Sequence, residues 1–284
     1  MRLATVRTSE GTRAVRLAGD TAVETGHADV GALLRDPGWR ARAAVADGPA
    51  HPVAGLDYAP LVPAPEKIIC VGMNYRDHIA EMGRQPPEYP TLFAKFPPTL
   101  VGAYDDVRLP TVSEAVDWEA ELAVVIGAPA RHCDEAAASA AIGGYTVLND
   151  VSVRDYQNRT LQWLQGKMFE ATTPLGPALV TPDELPGGGP GITAEISTEV
   201  DGEVMQRSDT GQLVFDPVTL VRYLSEIITL NPGDVIATGT PGGVGHARKP
   251  PRYLTDGAVL TTRIAGVGEC RNTCRKEKPA SPAR

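Results

Sequence analysis

Apolar and polar positions change rhythm several times along the chain. Residues 3–7 and 13–18 are rich in Val, Thr and Arg, and Gly19-Asp20 turns into TAVET, which predicts a small hairpin. From Asp29 the runs VGALL and RARAAVA predict a helix interrupted at Pro37-Gly38. Residues 48–67, GPAHPVAGLDYAPLVPAPEK, hold five prolines and read as a linker. The main domain then opens near Lys67 with the strand KIICVGMNY. Strand-like runs recur in VVIG, YTVLNDV, ALVT, ITAEISTEV, DVIATG and VLTTRIAGV. Two helices interrupt them. DEAAASAAIGG predicts one closed by Gly143-Gly144. FDPVTLVRYLSEIITLNPGD predicts another, with Val218, Val221, Leu224 and Ile228 on one face and a stop at Pro232-Gly233. GGGPG at 187–191 reads as a loop, and the charged, Pro-rich RKEKPASPAR as a disordered tail. No repeat of fixed period is present.

Composition supports this division. A chain of 284 residues with 42% hydrophobic content can bury a sizeable core. Its 25 prolines and 29 glycines imply many turns, and so a mainly β fold with some helix, α+β in class. The expected organisation is a small N-terminal α/β domain with its linker (1–65), a main domain (66–275) and a tail (276–284). The net charge of −8 without a basic cluster argues against nucleic acid and anionic membranes as partners. No apolar run approaches the roughly 20 residues of a membrane span. MRLATVRTSEGTRAVRL breaks its apolar stretches with Arg and Glu, unlike a secretory leader, so a cytoplasmic location is expected. Cys270 and Cys274 form a CxxxC without a second ligand pair and read as reduced thiols. The sequon at Asn158-Arg159-Thr160 is discounted for want of a secretory signal.

Candidate chemistry begins at DWEAEL, residues 117–122, which runs directly into AVVIG. In a strand, Glu119 and Glu121 share a face with Ala123 and Val125, while Trp118, Ala120, Leu122, Val124 and Ile126 form the other. Two ionised carboxylates about 7 Å apart repel by roughly 2–3 kcal/mol at an effective dielectric of about 20. Water, a retained proton or a bound cation can each relieve this. About thirty residues on, YTVLND ends another apolar strand at Asp150. Were the two strands neighbours, three carboxylates would make a hard-oxygen site suited to Mg²⁺, Mn²⁺ or Ca²⁺.

Other residues are ambiguous alone. In NYRDHIAEMG, Asn74 can cap a short helix that Gly83 and Pro86-Pro87 end, with His78 and Glu81 three apart on one face. A carboxylate-held His is a general base near neutral pH, but an incidental surface pair looks the same. Lys167 in GKMFEATTPLGP is either a solvated charge or a partner for a carboxylate or enolate. ATGTPGGVG, residues 237–245, lacks the Gly-Lys-Ser/Thr of a phosphate loop; its glycines permit close backbone approach, and Thr240 offers a hydroxyl.

Together, IICVGMNYRDHIAEMG, PTLFAKFPPTLVG, DWEAELAVVIG, YTVLNDVSVRDYQ, GKMFEATTPLGP and NPGDVIATGTPGGVG with RKPPRYLTDG resemble the fumarylacetoacetate hydrolase family over about residues 66–270. The resemblance implies a mixed β-sandwich roll and a homodimer. It implies that Glu119, Glu121 and Asp150 hold Mg²⁺ or Mn²⁺, with His78 and Glu81 as the dyad on a lid segment. It implies Lys167 as the active-site lysine, and Tyr75, Gln157 and Thr240 as substrate contacts. The implied activity is hydrolysis of a carbon–carbon bond in a small 1,3-dicarbonyl acid, an acylpyruvate or fumarylpyruvate-like compound. The alternatives are decarboxylation of oxaloacetate or a related 2-oxo diacid, and hydratase, isomerase or tautomerase action on a 2-oxo acid in aromatic catabolism. A non-catalytic metal-binding module would have lost His78, Glu81 or Lys167, and all three are present. Met73 stands where many members have Arg, which weakens the hold on a substrate carboxylate, and Met168 and Glu170 stand where Ser and Asp are common.

Overall fold

The structure is a computed structural model, and it describes residues 1–81, 83, 85–186 and 191–278. The chain opens with β1 (Arg2–Thr8), β2 (Gly11–Ala18) and β3 (Thr21–Glu24), then α1 (Val30–Leu34), α2 (Trp39–Ala44), β4 (Ala50–Pro52) and β5 (Asp57–Tyr58). The predicted helix is thus two, and the break falls at Pro37-Gly38 because proline cannot continue a helix's hydrogen bonds. The segment expected as a linker carries β4 and β5 and buries Leu61 and Val62.

Next come β6 (Ile68–Gly72), α3 (Arg76–Glu81), β7 (Thr91–Lys95), β8 (Leu100–Val101), β9 (Val107–Leu109), β10 (Val116–Asp117) and β11 (Ala120–Ile126). They are followed by α4 (Glu135–Ala141), β12 (Ile142–Asn149), β13 (Ser152–Val153), α5 (Arg154–Gln157), α6 (Leu164–Lys167) and β14 (Thr173–Val180). The last elements are β15 (Glu195–Val200), β16 (Glu203–Asp209), α7 (Pro217–Ile227), β17 (Val235–Ala237), β18 (Val259–Ile264) and β19 (Gly268–Lys276). Strands predominate and the sheets are mixed, as the α+β expectation required.

The main sheet runs β4-β3-β2-β1-β14-β12-β11-β17-β6-β7. Its pairs are antiparallel except β17 with β6, and β8, which lies parallel to β14 off that path. The N-terminal strands continue this sheet, because β1 pairs with β14 from Arg2 opposite Val180 to Ala4 opposite Ala178. A second sheet, β16-β15-β18-β19-β9, packs across the central strands β11, β12 and β14.

β11 shows why the centre is stable. Ala120, Leu122, Val124 and Ile126 join one apolar cluster, with Tyr145, Leu220 and Leu224. Ala123 and Val125 join the cluster on the opposite face, with Leu3, Leu33 and Trp39. The two-residue period read from the sequence is therefore kept, and both faces are buried.

Two predicted helix ends differ. Gly143 and Gly144 do not cap α4, which runs straight into β12. They are glycine because other backbone lies against them: a Cβ at Gly144 would stand 2.5 Å from the Val180 carbonyl oxygen. Asn74 does not cap α3 either. Its amide donates to the Phe215 and Thr238 carbonyls and accepts from the Phe215 N–H, tying three segments together. In α7, capped by Asp216, Leu220 joins Val221 and Leu224 on the buried face, and Ile228 lies beyond the end, exposed. The last strand takes in Lys276, the first residue of the expected tail; residues 279–284 and most of the GGGPG loop (187–190) lie outside the described residues. No helix among the described residues is long and apolar enough to cross a membrane.

Candidate metal centre and active site

The site forms where the start of β11 meets the end of β12. In their antiparallel register Ala120 lies opposite Asn149, so Glu119, just before one strand, sits beside Asp150, just after the other. The Asp150 N–H donates to the Glu119 carbonyl at 2.9 Å. Glu121 follows two residues on, and carboxylate oxygens of Glu119, Glu121 and Asp150 lie within 4.8 Å of one another, all buried.

Three cations are packed among them. Lys167, at the end of α6, places Nζ 2.8 Å from Glu119 Oε2 and 2.7 Å from Asp150 Oδ2. Lys95, at the end of β7, places Nζ 2.7 Å from Asp150 Oδ1. Arg154 donates Nε–H to Asp117 Oδ2 at 2.8 Å and brings Nη2 to 2.8 Å from Glu119 Oε1, an ion pair without good hydrogen-bond geometry. Burial alone would raise the Asp150 carboxyl, but Lys167 and Lys95 outweigh it and hold it down to about 2. Burial would lower the Lys167 ammonium, but Asp150 and Glu119 outweigh it and keep it protonated.

Glu121 is different. Its Oε2 accepts the Gly239 N–H at 2.8 Å, and among the described residues it has no ion-pair partner. Burial, then Asp150 and Glu119, raise its carboxyl well above the ordinary 4.5. Four buried carboxylates, counting Asp117, thus face three cations. Clustered hard oxygens with an anionic excess at Glu121 fit a divalent cation such as Mg²⁺ or Mn²⁺.

This gives a pH dependence of definite sign. A carboxyl raised in the folded protein holds a proton that the unfolded chain has released, so its contribution to stability is lost as pH rises from about 4.5 toward the raised value. An entering cation displaces that proton, so its apparent affinity will climb with pH over the same window. Calorimetric Mn²⁺ titrations in buffers of different ionisation enthalpy should detect the released proton; release of none would contradict the assignment.

A cavity of about 240 Å³ opens onto these groups. One wall is apolar, with Val71, Phe93, Trp163 and Val244. Gly72 lets the Trp163 ring pack flush, since a Cβ there would stand 2.3 Å from it. The polar wall carries Glu119, Glu121, Lys167, Arg154, Gln157, Asn158, Thr240, His246 and His78. His78 Nδ1 is 3.2 Å from Glu81 Oε2, and the same oxygen receives the Gly243 N–H at 3.4 Å, which ties α3 over the glycine-rich turn. Gln157 Oε1 accepts from Arg154 Nη1, leaving its amide donors free to face the cavity. Thr240 Oγ1 accepts from Gln206 Nε2, which leaves the hydroxyl proton to donate.

The structure therefore brings Glu119, Glu121, Asp150, Lys167, His78, Glu81, Gln157 and Thr240 together. Tyr75 is a correction. It is fully buried in the apolar cluster with Val71 and Leu213 and does not line the cavity. Met73 does line it, in left-handed backbone with φ 56°, and the cavity's guanidinium comes from Arg154 instead. Met168 faces outward beside Tyr156 and Phe169. Sequence reading missed Lys95, Arg154, Asp117, Gln206 and His246. Lys95 alone gave a usable signal, a charge inside the apolar run LFAKF.

The family described as fumarylacetoacetate (FAA) hydrolase C-terminal matches residues 67–275. The human mitochondrial oxaloacetate tautomerase FAHD2A is 44% identical over 229 residues, 80% of this chain and 72% of that protein. A crystal structure of 5-carboxymethyl-2-hydroxymuconate delta-isomerase from Mycobacterium smegmatis is 34% identical, with a TM-score of 0.81 over 98% of this chain and 100% of that one. Maleylpyruvate hydrolase from Sphingobium sp. SYK-6, solved with manganese(II) and pyruvate, is 30% identical, with a TM-score of 0.79 over the same shares.

Proposed function

The chain belongs to the fumarylacetoacetate hydrolase family, and from that premise we propose that it is a divalent-cation-dependent enzyme that interconverts the keto and enol forms of a small 2-oxo dicarboxylic acid. The observation that carries the reading is the buried, protonated Lys167 ammonium, held by Glu119 and Asp150 on the same cavity as the His78–Glu81 pair. One donor for an oxyanion and one base for a carbon-bound proton are what enolisation needs.

Glu119, Glu121 and Asp150 would hold the cation, which would supply Lewis-acid polarisation of the substrate's 2-oxo acid end. Glu81 takes the Nδ1–H of His78, which leaves Nε2 unprotonated to remove a proton from the carbon beside the 2-oxo group. Lys167 Nζ donates to the oxygen that gains charge, and the same Nε2–H returns its proton in the reverse direction. Gln157 and Thr240 orient the acid through donors fixed by Arg154 and Gln206. The reading is also supported by identity of 44% to a protein named for oxaloacetate tautomerisation.

Carbon–carbon hydrolysis of an acylpyruvate, placed first by the family resemblance, becomes the second reading. The same His78 Nε2 could take its proton from water, and the Sphingobium neighbour is a hydrolase. Purified protein with Mg²⁺ or Mn²⁺ should accelerate loss of the enol's ultraviolet absorbance in oxaloacetate, and His78→Ala should abolish most of it. Release of pyruvate from acetylpyruvate without any enol–keto acceleration would favour hydrolysis instead. Carbon dioxide release from oxaloacetate would point to decarboxylation.

A further inference from the structure

We propose that His246 is a specificity-determining residue that hydrogen-bonds the second carboxylate of a dicarboxylic 2-oxo acid at the cavity mouth. This rests on the function proposed above and names the substrate class for it.

The cavity has two chemically distinct ends. Its inner end carries Glu119, Glu121 and Lys167, all buried, with Asp150 behind them in contact with Lys167. Its outer end carries exposed Asn158, His246 and Ala247. A substrate whose 2-oxo acid group occupies the inner end presents its remaining atoms to this outer end.

The placement of His246 is built into the fold. Asp117, fully buried, accepts the Gly245 N–H at Oδ1 (2.7 Å) and the His246 N–H at Oδ2 (2.9 Å). The same Oδ2 accepts Arg154 Nε–H. One carboxylate therefore fixes the turn that bears His246 and the guanidinium beside it on a common wall. Glycine at 245 is required for this approach, since a Cβ would stand 1.9 Å from the Arg252 carbonyl oxygen and 2.7 Å from Asp117 Oδ1. Trp118 Nε1–H donates to the Gly243 carbonyl at 3.2 Å and braces the turn from below.

The ring itself is oriented. His246 Nδ1 lies 3.0 Å from the Tyr253 hydroxyl. A phenol hydroxyl at this distance can donate to Nδ1. In that tautomer Nε2 carries the imidazole proton and is a donor, the polarity that a carboxylate needs. His246 is thus tied by its backbone N–H to the carboxylate that holds Arg154 and by its ring to Tyr253.

The test compares oxaloacetate with pyruvate, a monoacid whose methyl-proton exchange with deuterated water reports the same enolisation. In His246→Phe the preference for the diacid, as the ratio of kcat/KM values, should fall about tenfold, with the loss in KM rather than kcat. His246→Gln, which keeps a donor, should recover part of it. An unchanged preference, or an equal loss on both acids, would overturn the proposal. Calorimetric binding of oxaloacetate and pyruvate to the Mg²⁺-loaded protein separates the two readings. Diacid preference that depends on His246 without turnover would sink the proposed reaction and keep this inference. Turnover with a preference indifferent to residue 246 would do the reverse.

Discussion

Lys167→Met will lower kcat/KM by roughly a thousandfold, the cost of removing a preorganised donor to a developing oxyanion, while leaving Mn²⁺ binding intact. The side chain is 1% exposed, and its ammonium contacts Glu119 and Asp150 together. Methionine matches the length of the lysine stem and fills the space beside Phe93, whose ring centroid lies 4.9 Å from Nζ. The three carboxylates remain available, so Mn²⁺ should still bind at saturating concentration. Steady-state kinetics at saturating metal and a separate Mn²⁺ titration distinguish the two effects. A loss of less than tenfold would mean that Lys167 only neutralises its neighbours.

Asp150→Asn should damage the fold as well as the site. Both oxygens of Asp150 are committed, Oδ1 to Lys95 and Oδ2 to Lys167, and all three side chains are buried. An amide leaves two buried ammonium groups short of a negative charge, and breaking a buried pair in this way costs about 3–5 kcal/mol. The shift of the denaturant midpoint measures it. The variant also loses a ligand, so the rise in melting temperature that Mg²⁺ gives the unaltered protein should vanish. A melting curve that still responds to Mg²⁺ would remove Asp150 from the ligand set.

Much of this centre was legible because strand geometry has a period of two. Two glutamates at alternate positions of an apolar run have few explanations, and Asp150 at the end of another run offered a third ligand. What the residues could not show was that β11 and β12 are neighbours in a register that sets Glu119 against Asp150; family resemblance supplied that adjacency. The cations were harder to see. Lys95 finds its partner 55 positions away, and Arg154 sits among polar residues, where a buried guanidinium looks like a solvated one. Tyr75 misled in the opposite sense. It stands in a polar segment beside His78, but Asn74 anchors the backbone to Phe215 and Thr238, which turns the ring into the core. The α4 terminus failed for a related reason, since glycines that look like a stop signal were needed for close packing inside β12.

The contributors to the site are scattered from position 71 to position 247, and the central strand that carries Glu121 is walled by Leu3 on one side and Leu220 on the other. The site therefore needs most of the main domain to be in place. Loop closures this long are slow to form, so a nascent polypeptide stays chemically silent until almost all of it has emerged and collapsed. Metal capture would then act as a late checkpoint, rewarding only those molecules whose distant segments have found one another.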